Sequence, residues 1–266
     1  MSGASNSRRE KAAAARNQAQ AGEKRRERTV RIVGAITVLA VVVGIIVVAV
    51  VVKQSEQAAN EVVVTEPDAN APLPAGVLGA SDTHAFGVPF GSASADAPVL
   101  EVWEDFQCPA CGALEEVNGA GIADLAEAGT IQLIWRPTAF LDPNLGNDSS
   151  NRAIAAWGCA IDAGKTREFH EVVFANQPAE EGTGYTNDQL LGWGSEVGLT
   201  GPELDTFTQC VTDGTYRAWA ANSTQAFYDN GIQGTPFVVL NGTVLENAVA
   251  ADPAALEKAI SEAAAQ

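Results

Sequence analysis

Apolar residues fall into three kinds of run along this chain. Ile32 to Val52 is apolar without a charge. That is about twenty residues, enough to span a bilayer core of ~30 Å as a helix. Val99-Leu100-Glu101-Val102-Trp103-Glu104-Asp105-Phe106 and Ile131-Gln132-Leu133-Ile134-Trp135 are short, apolar and β-branched, and predict buried strands, the first over 99–105. A helix is expected from Cys108 onward, through Gly112, Leu114 and Val117. Helical spacing governs the middle of the chain. Asp148 or Ser149 can cap a helix carrying Ala153, Ile154, Trp157 and Ile161. Thr186 with Gln189, and Thr200 with Glu203, both fit a capping box. A further helix is expected over Thr215 to Asp229, closed by Asn230-Gly231. Thr235 to Leu240 reads as a strand, Asn241-Gly242 as a hairpin turn and Thr243-Val244-Leu245 as its partner. Asp252-Pro253 opens a last helix as N-cap and first residue. A βαβ start, a helical insert over about 141–231 and a ββα finish predict one α/β domain over 81–266.

Charge divides the chain the same way. The net charge is −17, yet residues 1–31 carry nine Lys/Arg against three acids, and residues 54–266 carry six against thirty. A basic tail over 1–31 stays cytoplasmic, a transmembrane helix over 32–52 anchors the chain, and the acidic bulk lies outside. This predicts a single-pass protein of the cell membrane with an extracytoplasmic domain. A cleaved signal peptide is the rival reading, but its apolar core is normally shorter and ends in a small-residue site. Here Lys53-Gln54-Ser55-Glu56 follows. Residues 53–80 are polar with scattered proline and read as a flexible linker. It either lets the domain sample clients near the membrane or is a plain spacer. The acidic surface excludes nucleic acid as a partner.

The candidate chemistry is Cys108-Pro109-Ala110-Cys111. The pair sits where a strand hands over to a helix start, and helix N-termini stabilise thiolates. A thiolate is the nucleophile of disulfide exchange. A CxxC is also half of a zinc site, but the remaining Cys159 and Cys210 are far apart and only His84 and His170 could add ligands. The expectation is therefore a redox pair with no metal and no cofactor. Pro236 follows Gly234-Thr235 at a strand head and is a candidate cis proline.

WEDFQCPAC followed far downstream by GIQGTPFVVLNG resembles the DsbA-like branch of the thioredoxin superfamily, over roughly residues 85–265. The resemblance implies a thioredoxin fold with a helical insert and a catalytic pair at Cys108 and Cys111. It implies a cis-proline loop at Thr235 and Pro236, which meets the client chain together with Pro109 and Ala110. It also implies exported cysteine-containing clients and a quinone-linked membrane reoxidant of the DsbB or vitamin K epoxide reductase type. Two positions depart from the family. The buried proton acceptor of many members falls on Val102. Glu104 shares that strand face and is the candidate substitute, with a solvated carboxylate as the alternative. Family members often have His or Tyr where this chain has Ala110. Cys108 is then expected to rely on the helix N-terminus alone, with a higher pKa and a less oxidising couple than in histidine variants.

A CxxC pairs readily with itself, which leaves Cys159 and Cys210 for a structural disulfide; similar cysteines occur in relatives, and an electron relay is the alternative. His170 reads as an ordinary helix residue, and the five tryptophans as core or groove-lining. The leading function is an anchored enzyme that forms disulfides in exported proteins. A reductase or isomerase, and a holdase or binding module on a thioredoxin scaffold, are the competing readings.

Overall fold

The computed structural model describes residues 62–265. The expected cytoplasmic tail, the transmembrane helix over 32–52 and the start of the linker lie outside the described residues. Among the described residues, no helix is long and apolar enough to cross a membrane.

Five strands form one sheet in the order β1-β3-β2-β4-β5, with β1 Val88–Phe90, β2 Val99–Glu104, β3 Gln132–Pro137, β4 Phe237–Leu240 and β5 Thr243–Leu245. β2 is central, parallel to β3 and antiparallel to β4. β1 pairs antiparallel with β3 at the edge. It went unpredicted because three residues carry no readable alternation. Asn241 and Gly242 have φ of 46° and 78°, the backbone of a tight hairpin turn. This is the thioredoxin-like α/β fold with a helical insert.

Period-two alternation sorts β2 between the two faces of the sheet. Leu100 and Val102 enter the main core with Phe106, Trp135, Trp157 and Trp219. Trp103 faces the other way, against Phe227 and Ile232, and the Arg136 guanidinium lies 4.0 Å from its ring centroid. All five tryptophans are buried, so none lines an open groove.

After β2 come α1 Pro109–Leu114, a wider turn over Glu115–Gly119 and α2 Ala120–Glu127. The insert comprises α3 Asp142–Leu145, α4 Ser149–Asp162, α5 Thr166–Ala175, α6 Asn187–Glu196, α7 Gly201–Asp213 and α8 Arg217–Asp229; α9 Asn247–Ala251 and α10 Pro253–Ala264 finish the chain. The Thr186/Gln189 capping box forms, and the Asp252 carboxylate caps α10. The other two expected caps are corrected. Thr200 precedes α7 without a side-chain hydrogen bond. The start of α4 is capped from outside: Asp142 Oδ1 and Oδ2 accept the N–H groups of Ser150 and Asn151, each at 2.9 Å. That frees Asp148 to pair with Arg152 and Arg217. A disulfide of 2.03 Å joins Cys159 in α4 to Cys210 in α7.

The flexible linker expected over 53–80 is corrected for its second part. Val63 N–H donates to Asp148 at 3.1 Å, Asp68 N–H to Asn222 at 2.9 Å and Ala75 N–H to Asp162 at 2.8 Å. The segment from Val62 is thus fastened along α4 and α8. Local composition hides this, because every partner lies at least 85 positions away.

Candidate active site

The loop between β2 and α1 is built on buried polar groups. Asp105 is 0% exposed. Its Oδ1 accepts the Gln107 N–H at 2.9 Å and its Oδ2 accepts the Leu141 N–H at 3.0 Å, while the Ser150 hydroxyl donates to Oδ1. Burial pushes its carboxyl up to about 7. The Gln107 amide reaches Asp142 at 2.7 Å. Two insert residues hold the loop carbonyls. Gln177 Nε2 donates to Phe106 O at 2.8 Å and to Cys108 O at 3.0 Å, and the Tyr185 hydroxyl donates to Phe106 O at 2.6 Å. Glycine at 112 lets α1 pass this close, since a Cβ there would collide with Gln177 Oε1. Buried backbone carbonyls need such partners.

The loop delivers Cys108 to the N-cap position of α1, where Gly112 N–H donates to its carbonyl at 3.1 Å. Pro109 and Ala110 are exposed at the turn. Cys111 is 0% exposed and Cys108 6%, so Cys108 is the more accessible of the two sulfurs. Both thiols are free. The Thr235–Pro236 peptide is cis, Pro236 is buried, and the Thr235 carbonyl oxygen lies 3.3 Å from Cys108 Sγ.

The two thiols are driven apart. Cys108 is lowered to about 6, first by hydrogen bonding from the Cys111 side chain, against the opposing effect of burial. The Thr235 side chain and the backbone groups of Cys111 and Ala110 lower it further. The expectation that Cys108 relies on the helix N-terminus alone is therefore corrected: its sulfur neighbour leads, and the proline loop contributes. Cys111 is raised well above its ordinary value by burial. One low and one high thiol give a good leaving group and a poor one.

Behind the pair lies a cluster that sequence reasoning missed in part. Glu104 is 5% exposed, which removes the solvated alternative. Burial pushes its carboxyl up to about 8, and that of Glu115 likewise. His170 stands between them, 2% exposed. Its Nε2 is 3.2 Å from Glu104 Oε2 and its Nδ1 3.7 Å from Glu115 Oε2. One ligand-type atom from each of the three lies within 4.8 Å of the others. The two carboxyl groups approach opposite ring nitrogens, Glu104 within hydrogen-bond distance and Glu115 just beyond it. No pattern flagged His170, because α5 meets β2 only in three dimensions; its place among the apolar Phe169, Val172 and Val173 was the available signal.

A family model described as thioredoxin matches residues 87–262. Among solved structures, the oxidised DsbA of Mycobacterium tuberculosis is 28% identical, covering 68% of this chain and 93% of that one, with a TM-score of 0.55. The reduced disulfide bond oxidoreductase DsbG of the same organism is 29% identical over 68% of this chain and 88% of that one, with a TM-score of 0.56. The thiol-disulfide oxidoreductase MdbA of Actinomyces oris is 22% identical over 76% and 97%, at a TM-score of 0.60, a likeness of fold. No curated protein sequence matches the chain.

Proposed function

Because the chain belongs to the thioredoxin family and is a DsbA-like thiol–disulfide oxidoreductase, we propose that it forms disulfides in exported proteins through Cys108 and Cys111. The observation that carries exchange through this pair is the lowered, more accessible Cys108 thiol beside the cis Thr235–Pro236 loop, with Cys111 buried behind it. The direction is set by the potential of the couple. A client thiolate attacks Cys108 of the oxidised pair, and the Cys108–Cys111 bond breaks. Its electron pair leaves on Cys111, which takes up a proton; Glu104 is the nearby acid for it. A second client thiolate then attacks the client sulfur of the mixed disulfide, and Cys108 departs as a stabilised thiolate. The client is oxidised and the enzyme pair reduced. Thr235 and Pro236, with Pro109 and Ala110, form the surface that meets the client backbone.

The same reading places the domain outside the cell membrane, on an anchor at 32–52 with residues 1–31 in the cytoplasm. The uncharged run and the basic flank support this. Turnover then needs a membrane reoxidant, quinone-linked and of the DsbB or vitamin K epoxide reductase type. The test is the reduction potential of the Cys108/Cys111 couple in glutathione buffers. A value above about −200 mV is expected for a disulfide donor. A value near or below about −250 mV would make the protein a reductase.

A further inference from the structure

The proton that Cys111 takes up and releases has to cross a buried site. Among the described residues, neither Glu104 nor Glu115 has a lysine or arginine partner; each meets His170, and the two carboxyl groups also act on each other. Arg136 lines the small cavity beside Glu104 and His170, but its guanidinium is committed to Glu101. Glu171 is the other acid acting on His170, from its own helix. Two atoms of the cluster are buried without a hydrogen-bond partner, Glu104 Oε1 and His170 Nδ1. Unpaired polar atoms at this depth are costly, and folded proteins keep few of them. Glu115 also lines an open groove with Pro109, Gly112, Glu116 and Gln177. Glu104 acts electrostatically on Cys111, so the order from inside to outside is Cys111, Glu104, His170, Glu115, solvent.

We propose that His170 passes protons between Glu104 and Glu115, linking Cys111 to the solvent groove, and that its tautomer changes whenever the cysteine pair changes redox state. This deepens the exchange reading above and rests on it. As the pair is reduced, the Cys111 thiolate takes the Glu104 proton. Glu104 is refilled from Nε2–H of His170, Nδ1 takes the Glu115 proton, and Glu115 is refilled from solvent. No charge remains in the cluster, and the ring now carries its proton on Nδ1. When a disulfide partner reoxidises the pair, the Cys111 proton leaves by the reverse steps and the ring returns to Nε2–H. The ring need not rotate. That matters because it is boxed by Trp135, stacked at 4.7 Å between centroids, by Phe174 at 5.0 Å and by Trp157 at 5.1 Å. Burial also lowers the His170 pKa, which keeps the imidazole neutral between transfers. The insert thus supplies a positioning residue that acts through Glu104 and touches no reacting sulfur.

The test is nitrogen NMR of the full chain labelled at its two histidines, prepared with dithiothreitol or with oxidised glutathione. His170 is expected as Nε2–H in the oxidised protein and Nδ1–H in the reduced one, with His84 unchanged. In Glu115→Gln the ring should stay Nε2–H in both states, because an amide cannot relay the proton. Glu116→Gln, on the same groove, should keep the switch. One tautomer in both states of the unaltered chain, or an imidazolium in either, overturns the proposal. Thiol labelling run alongside separates the two failures: a pair that does not cycle sinks the exchange reading, whereas cycling with a fixed tautomer sinks only the relay.

Discussion

Gln177, just beyond the end of α5, holds Cys108 from behind, its amide donating to the Cys108 carbonyl at 3.0 Å and to that of Phe106 at 2.8 Å. A residue of the insert therefore helps set the backbone that presents the Cys108 thiol. Gln177→Ala removes one of two donors from each carbonyl, leaving Tyr185 on Phe106 O and Gly112 N–H on Cys108 O, at about 0.5–1.5 kcal/mol per lost hydrogen bond. Denaturant unfolding should show that loss, and exchange with dithiothreitol should slow. Unchanged exchange kinetics would mean that the loop keeps its shape without this support.

The lowered Cys108 thiol makes the stability of the reduced protein depend on pH. Between the folded value of about 6 and the unfolded value of 9.0, the folded state binds fewer protons than the unfolded state. Stability from this group is therefore fully present above pH 9 and is lost as pH falls to 6. Denaturation of the reduced protein, compared with Cys108→Ser across that range, checks it. Direct titration of the thiolate by its ultraviolet absorbance should give a midpoint near the folded value.

Glu104 acts in the opposite sense. Its folded pKa of about 8 exceeds the ordinary 4.5, so the folded state keeps a proton that the unfolded state releases. Stability falls as pH rises across that interval. Glu104→Gln should match the parent near pH 4.5 and exceed it at pH 8. Parallel curves for the two proteins would place the Glu104 charge elsewhere in the scheme.

The Cys159–Cys210 bond closes a loop of 51 residues in sequence separation. Replacing both cysteines by serine should cost about 4 kcal/mol on the chain-entropy view. Client oxidation at a temperature where the variant is folded should persist. Its disappearance would revive a relay role for the second pair.

Four of the five strands, the CxxC at a helix start and the cis proline were legible in the sequence because each is a local pattern; the three-residue edge strand β1 was not. A buried strand is an apolar run, a CxxC at a helix start is four adjacent residues, and Asn-Gly between strands specifies its own turn. Most helices of the insert were legible for the same reason, although two of their caps were not. The Asp142 carboxylate that caps α4 belongs to another helix. Likewise the polar segment from Val62 matched a linker by composition, yet its hydrogen-bond partners are distant in the chain.

By itself, the sequence determined the fold class, the place of Cys108 and Cys111 at a strand-to-helix junction and the partition of charge along the chain, since these depend on residue type and near-neighbour spacing. Only the tertiary structure decided how the pair is tuned. Burial and a sulfur neighbour separate the pKa values of Cys108 and Cys111. The packing of α5 against β2 brings His170 within 3.2 Å of Glu104, a carboxylate 66 positions earlier. Desolvation and charge proximity are properties of a packed interior, and no stretch of sequence contains them until the chain has folded.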